Sequence, residues 1–118
     1  TDAFGTLQSS PVGVLPYETT TDANITVGAY DYFISAAANT SNVTITLPSS
    51  PPEGKTYVIG FTSGIGTPAE TVTVTASGST TVGGVSSQNL GEVTSGIGIY
   101  MVIYDGAGNY INLANTHQ

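Results

Sequence analysis

At 118 residues the chain is long enough for one domain with a core of its own, and without cysteine it can hold neither a disulfide nor thiolate metal or redox chemistry. Charged residues are only 8%, against roughly 25% in an average soluble domain, and eight carboxylates face a single base, Lys55, for a net charge of −7. That balance excludes recognition of nucleic acid through its phosphates and disfavours an anionic membrane surface, while no apolar run approaches the ~20 residues of a membrane span.

Threonine, valine, isoleucine and tyrosine favour strands, and no window carries the i, i+3, i+4, i+7 pattern of a helix. The expected fold is therefore all-β, an antiparallel, jelly-roll-like β-sandwich of seven to nine strands. In chain order, Thr1 to Ser10 reads as a flexible arm, and residues 11–118 read as the single sandwich domain. A start at Thr1 in place of Met points to a processed product or a fragment. Val12 to Tyr17 is a short strand interrupted by Pro11 and Pro16, as at a sheet edge. Thr19 to Asp22 reads as a polar loop. Ile25 to Val27 and Tyr30 to Ala36 are extended, with a break at Gly28.

Asn42 to Phe61 is the centre of the reading. Val43, Ile45 and Leu47 alternate with Thr44 and Thr46, the period of a strand with one buried face. Pro48 ends that strand, and after a proline-rich connection Thr56 to Phe61 returns with Tyr57, Ile59 and Phe61 on one face, as a central hairpin. Ser63 to Glu70 is a Gly/Pro loop. Thr71 to Ala76 alternates again, and Thr80 to Val85 continues past Gly83-Gly84 as a bulge. Ile97 to Tyr104 is the strongest strand, and Asp105 to Gly108 turns it into a hairpin with Asn109 to Leu113. Val43, Ile45, Leu47, Tyr57, Ile59, Val72, Val74 and Ile103 are expected in the core. Because Ile99 to Tyr104 does not alternate, that strand is expected to be covered on both faces, by the core or by a neighbouring copy.

Chemistry is thinly represented. His117, the sole histidine, lies at the end of the chain, so Ser/His/Asp and Cys/His sites cannot be assembled. The carboxylates Asp22, Asp31, Glu53, Glu70, Glu92 and Asp105 are scattered over turns and show no calcium-loop spacing. Gly64-Ile65-Gly66 and Gly96-Ile97-Gly98 lack the lysine of a phosphate loop. Asn24, Asn39 and Asn42 each begin an Asn-x-Ser/Thr sequon. No catalytic, metal or cofactor residue is assigned, no cofactor is expected, and the chain is read as no enzyme.

The order Tyr30-Asp31-Tyr32-Phe33-Ile34, Asn42-Val43-Thr44-Ile45-Thr46-Leu47-Pro48, Glu53-Gly54-Lys55-Thr56-Tyr57-Val58-Ile59, Thr71-Val72-Thr73-Val74, then Ile103-Tyr104-Asp105-Gly106 with Asn109-Tyr110, resembles a module of tailed bacteriophages and related viruses. That module recurs at the C-terminal ends of tail fibres, spikes and other virion surface proteins. The likeness runs from about Ile25 to Leu113, with Tyr110 where members carry tryptophan and an extra Ser-Ser-Pro-Pro before Gly54. It implies a homotrimeric sandwich head on the virion surface, outside cells, displaying loops that bind a host cell-surface receptor, a glycan among the candidates. The alternatives are a capsid or decoration protein and a carbohydrate-binding module.

Overall fold

The computed structural model describes residues 17–63 and 70–116. The arm at Thr1 to Ser10, the strand from Val12 up to Pro16, the loop Gly64-Ile65-Gly66 and His117 lie outside the described residues. These residues form strands and no helix: β1 Tyr17–Thr21, β2 Ile25–Thr26, β3 Phe33–Ala37, β4 Val43–Leu47, β5 Thr56–Ser63, β6 Val72–Ala76, β7 Thr81–Val82, β8 Ser87–Asn89, β9 Val93–Tyr104 and β10 Asn109–Thr116. The fold is all-β, with ten strands among the described residues where seven to nine were expected.

Two sheets close on one core. One has the order β1-β3-β5-β9-β10-β7 and the other β2-β4-β6-β8, so from β1 to β9 the chain changes sheet at every connection. The antiparallel, jelly-roll-like expectation is corrected on this point. β1, β3 and β5 run parallel, as do β2, β4 and β6. Antiparallel ladders join β5 to β9, β9 to β10 and β6 to β8. The central hairpin fails for the same reason, since β4 and β5 lie in different sheets. Its Pro-rich connection is too long and too stiff for a tight primed turn, and it crosses the end of the sandwich instead.

Crossings leave backbone groups that must find partners, and short polar side chains provide them. Asp22, at φ 58°, accepts from the backbone N–H groups of Asn39 (2.6 Å), Thr40 (2.7 Å) and Ser41 (3.2 Å), tying the end of β1 to the next crossing. Asn24 accepts from the Thr44 N–H at 2.8 Å, and Asn42 from the Thr71 N–H at 2.9 Å. Two of the three sequon asparagines are thus caps at the mouths of parallel ladders. Thr19 to Thr21, expected in a loop, belong to β1. The inward side chains of that edge strand are Glu18 and Thr20, so no apolar alternation marked it.

The core holds Val43, Ile45, Leu47, Tyr57, Ile59, Val72 and Val74, all fully buried as expected. Ile103 is the exception. On β9 it is Tyr100, Val102 and Tyr104 that face the core, while Ile99, Met101 and Ile103 point out and are half-buried. Of the two central strands, β5 is the one covered on both faces, with Tyr57 to Phe61 all buried. Gly83 and Gly84, at φ 61° and 82°, turn the chain out of β7 where a bulge within one strand was expected. Leu90 is a buried connector and Val93 opens β9.

Two measurements test this fold. An ideal Cβ on Gly98 would lie 2.6 Å from the Phe61 ring and 2.8 Å from Val93, so Gly98→Ala overpacks the core and costs roughly 1–3 kcal/mol. Combining it with Phe61→Leu returns part of that loss in a double-mutant cycle by denaturant melts. The three N–H bonds hold the Asp22 carboxyl below the usual aspartate range, outweighing a smaller opposing effect of burial. Its folded pKa lies under the unfolded one, so the contribution is full above the unfolded value and lost as pH falls through the folded one. Asp22→Asn, which keeps a carbonyl acceptor and tolerates the positive φ, should lower Tm at neutral pH, with the gap from wild type closing on acidification.

Candidate functional site

The two outer faces of the sandwich differ in chemistry. On the four-stranded sheet, parallel pairing stacks Thr44 beside Thr73, and Thr26 beside Thr46 and Thr75, giving a half-exposed hydroxyl surface. On the six-stranded sheet the same logic aligns Tyr17, Phe33, Val58 and Met101 in one row, with Ile103 beside Ile111 below it. Tyr17 stacks on Phe33 with ring centroids 5.7 Å apart and planes within 6°. Phe33 leans over Gly60, where an ideal Cβ would sit 3.0 Å from its tip. Around this contact lies an open groove of about 270 Å³, lined by Tyr17, Phe33, Ser35, Gly60, Thr62 and Ile97.

None of the seven described carboxylates lies on that apolar face. Glu18 has the opposite parity to Tyr17 on β1, and Asp22, Asp31, Glu53, Glu70, Glu92 and Asp105 all sit in connections. Among the described residues no group of three or more His, Cys, Asp or Glu side chains could hold a metal ion. No helix there is long and apolar enough to cross a membrane.

One end of the sandwich gathers the β2–β3 loop, the Pro-rich β4–β5 connection and the β9–β10 turn, and they are fastened to one another. The Gly54 N–H donates to the Tyr104 carbonyl at 2.9 Å, and Glu53 packs against Gly106, whose Cβ would be 3.0 Å away. The buried Tyr110 hydroxyl donates to the Pro48 carbonyl at 2.8 Å and Thr80 to that of Ser49 at 2.5 Å. Tyr104 and Tyr57 flank Tyr110 at 5.1 and 6.0 Å, so the connection rests on an aromatic floor. Burial pushes the Tyr57 phenol up to about 12 and that of Tyr110 higher still, so both stay neutral donors. In the turn, Asp105 accepts from the N–H groups of Ala107 (2.6 Å) and Asn109 (3.1 Å).

The β2–β3 loop presents Tyr30, 87% exposed and the most open large hydrophobic side chain described. The loop is closed on itself by the Gly28 N–H donating to Asp31 Oδ2 (2.8 Å) and the Asp31 N–H to the Gly28 carbonyl (3.2 Å). Tyr57 donates its hydroxyl to the Gly28 carbonyl at 3.3 Å. Lys55 Nζ donates to the Asp31 carbonyl at 2.5 Å and lies 4.7 Å from the centroid of the Tyr57 ring. Partial burial lowers the Lys55 pKa, and the Asp31 charge opposes that shift. Glu18 faces the Asp31 carboxyl from the β1 side, its own pKa raised by burial first and then by the neighbouring Asp31. The one base of the chain is thus spent on holding one loop.

The sequence singles out no receptor contact, and Lys55 stands 24 residues from its Asp31 partner, too far for any spacing rule. The available signal was scarcity: a lone cation among eight carboxylates is placed for a reason. No protein-family model matches the chain, and a search of curated proteins finds no match either.

Lys55→Met keeps most of the stem and removes the charge. It should cost roughly 1–3 kcal/mol, the range for a hydrogen bond to a charged group together with a cation–π contact. Slow trypsin cleavage after Lys55 in the wild-type chain, becoming fast in urea, checks that this side chain is held in place.

Proposed function

We propose that the chain is the head of a virion surface protein, a homotrimer that attaches to the host cell by binding a surface receptor without catalysis. The observation that carries this reading is the Tyr30 loop. An almost fully exposed aromatic on a turn fixed from three sides is pre-organised for contact, and rigid tyrosines are frequent anchors of binding energy. Ordering entropy that a slack loop would lose on binding is here lost already on folding. The two carboxylates beside it, Asp31 and Glu18, suit a receptor patch that is neutral or basic. The fastened end of the sandwich and its short polar caps support a role that demands rigidity outside cells. The resemblance to phage fibre and spike modules agrees with the all-β fold.

A second reading, a carbohydrate-binding module, is favoured by the groove at Tyr17 and Phe33. Its uncharged lining and its Ser35 and Thr62 hydroxyls would suit a neutral sugar ring.

Labelled protein applied to a panel of intact bacterial strains separates the readings. Saturable binding to some strains, weakened at least tenfold by Tyr30→Ala with Tm unchanged, is expected for attachment. Binding lost on Tyr17→Ala but kept in Tyr30→Ala, and competed by neutral oligosaccharide, would support the sugar module. Release of reducing ends from host polysaccharide by the purified chain would contradict the non-catalytic reading.

A further inference from the structure

We propose that the groove beside Tyr17 and Phe33 is a closed-ended subsite for the terminal ring of a neutral glycan. The proposal rests on the sugar-binding reading of this groove and names the part of the ligand that enters it.

Register builds the groove. β1 and β3 pair Thr19 with Ser35, and β3 and β5 pair Ser35 with Gly60, so the outward row crossing these strands drops to a hydroxymethyl group and then to no side chain at all. The rows on either side stand higher, with Tyr17 and Phe33 on one and Thr62 on the other. Those two rows are four residues apart along the strands, ~13 Å between backbones at ~3.3 Å per residue. The trench between them is shut at β5. An ideal Cβ on Gly60 would lie 3.0 Å from the Phe33 ring and 3.4 Å from Ile97, so these two side chains close over that glycine and bury it. At its other end the trench runs out over the exposed Thr19 at the sheet edge. A glycan threaded straight through would collide with the Phe33–Ile97 wall, whereas a glycan end can enter from β1. At about 270 Å³ the space falls below the ~300 Å³ at which drug-sized sites begin, and one ring fills it.

Lining chemistry selects the ring. Tyr17 and Ile97, 57% and 69% exposed, offer apolar surface to the C–H face of a pyranose. The Ser35 and Thr62 hydroxyls have no hydrogen-bond partner among the described residues, and each can both donate to and accept from a sugar hydroxyl. A wholly apolar ligand would strip water from both and leave them unpaired. A charged ligand finds no counter-charge in the lining. A neutral ring with apolar faces and a hydroxyl rim meets both demands.

Amide-detected NMR titration of the full chain with methyl glycosides of neutral hexoses, and with linear oligomers of each hexose, tests the assignment. One hexose series should shift the Ser35, Gly60 and Thr62 amides and leave Tyr30 unmoved, with affinity rising little beyond the disaccharide. Oligomers whose terminal ring carries a bulky blocking group should not bind. Thr62→Val, which keeps the shape and removes the hydroxyl, and Ser35→Ala should each weaken binding roughly two- to tenfold with Tm unchanged. Affinity that climbs with every added ring, or equal binding of the blocked oligomers, overturns the terminal-ring assignment and leaves a sugar site standing. Cyclohexanol shifting the same amides as strongly as any hexose, or unaltered binding in both variants, overturns the hydroxyl pairing on which the choice of ligand stands. Groove amides that no neutral hexose shifts at its solubility limit overturn the subsite and the sugar-binding reading together. Attachment through Tyr30 is then decided separately by the panel of strains.

Discussion

Parallel strands cannot be joined by a tight turn, and this constraint governs the domain. Each of β1 to β6 must be left by a crossing to the other sheet, so loops run over both ends of the sandwich. Every crossing strips backbone groups of ladder partners, and side chains answer: Asp22 accepts at one crossing, Asn24 and Asn42 accept at the mouths of the ladders, and the Thr80 and Tyr110 hydroxyls donate to the Ser49 and Pro48 carbonyls at the far end. The low charge of the chain fits this use. Threonine serves as an outward β-former, and Thr, Ser and Asn serve as hydrogen-bond caps, neither of which needs a charge.

The strands themselves were legible because burial imposes a period of two, and Val43-Thr44-Ile45-Thr46-Leu47 displays it fully. Their direction was not, since alternation records which face is covered and nothing of the neighbour's polarity. The parity of β9 was hidden for a related reason. In Ile99 to Tyr104 every residue is apolar, and what turns Tyr100 and Tyr104 inward is packing: Tyr104 against Tyr110, and the Tyr100 hydroxyl on Asn112. Those contacts are set by β10, across a hairpin whose bulge between Asn112 and Ala114 no propensity scale describes. β1 went unread because its inward residues at the margin of the core are polar. The site was less legible than the fold. Tyr30 looked like any strand tyrosine until the Gly28–Asp31 turn lifted it out of the sheet.

The two outer faces show how one repeat pattern can serve opposite ends. Both sheets place one residue in two outward. Threonine at those positions in β4 and β6 makes a face of hydroxyls, and Val58, Met101 and Ile103 in β5 and β9 make a row that is apolar. Nothing in backbone geometry requires the difference, because threonine fills either role in a strand. The apolar choice contributes within the single chain, because Val58 and Gly60 on the outer side of β5 are buried there and Phe33 leans over Gly60.

Assembly and display are then linked by topology. The Tyr30 loop, the Pro-rich connection and the Asp105 turn occupy one end because β3, β5 and β10 all begin there, where β9 ends. In the proposed trimer, rotation about a single axis carries that end of every copy to the same side. Three rigid Tyr30 loops would therefore face one surface, although each is built from contacts within its own chain. Linked copies raise effective affinity by roughly two to four decades without any new contact, provided the geometry allows simultaneous engagement. Fixing each loop with Lys55 secures that proviso, since loops that wandered independently would lose the common orientation. On this argument Lys55→Met should weaken binding by the assembled head to a cell surface more than binding by the same chain diluted to monomer. The ratio of the two losses, measured on the same strain, separates pre-organisation for many contacts from pre-organisation for one.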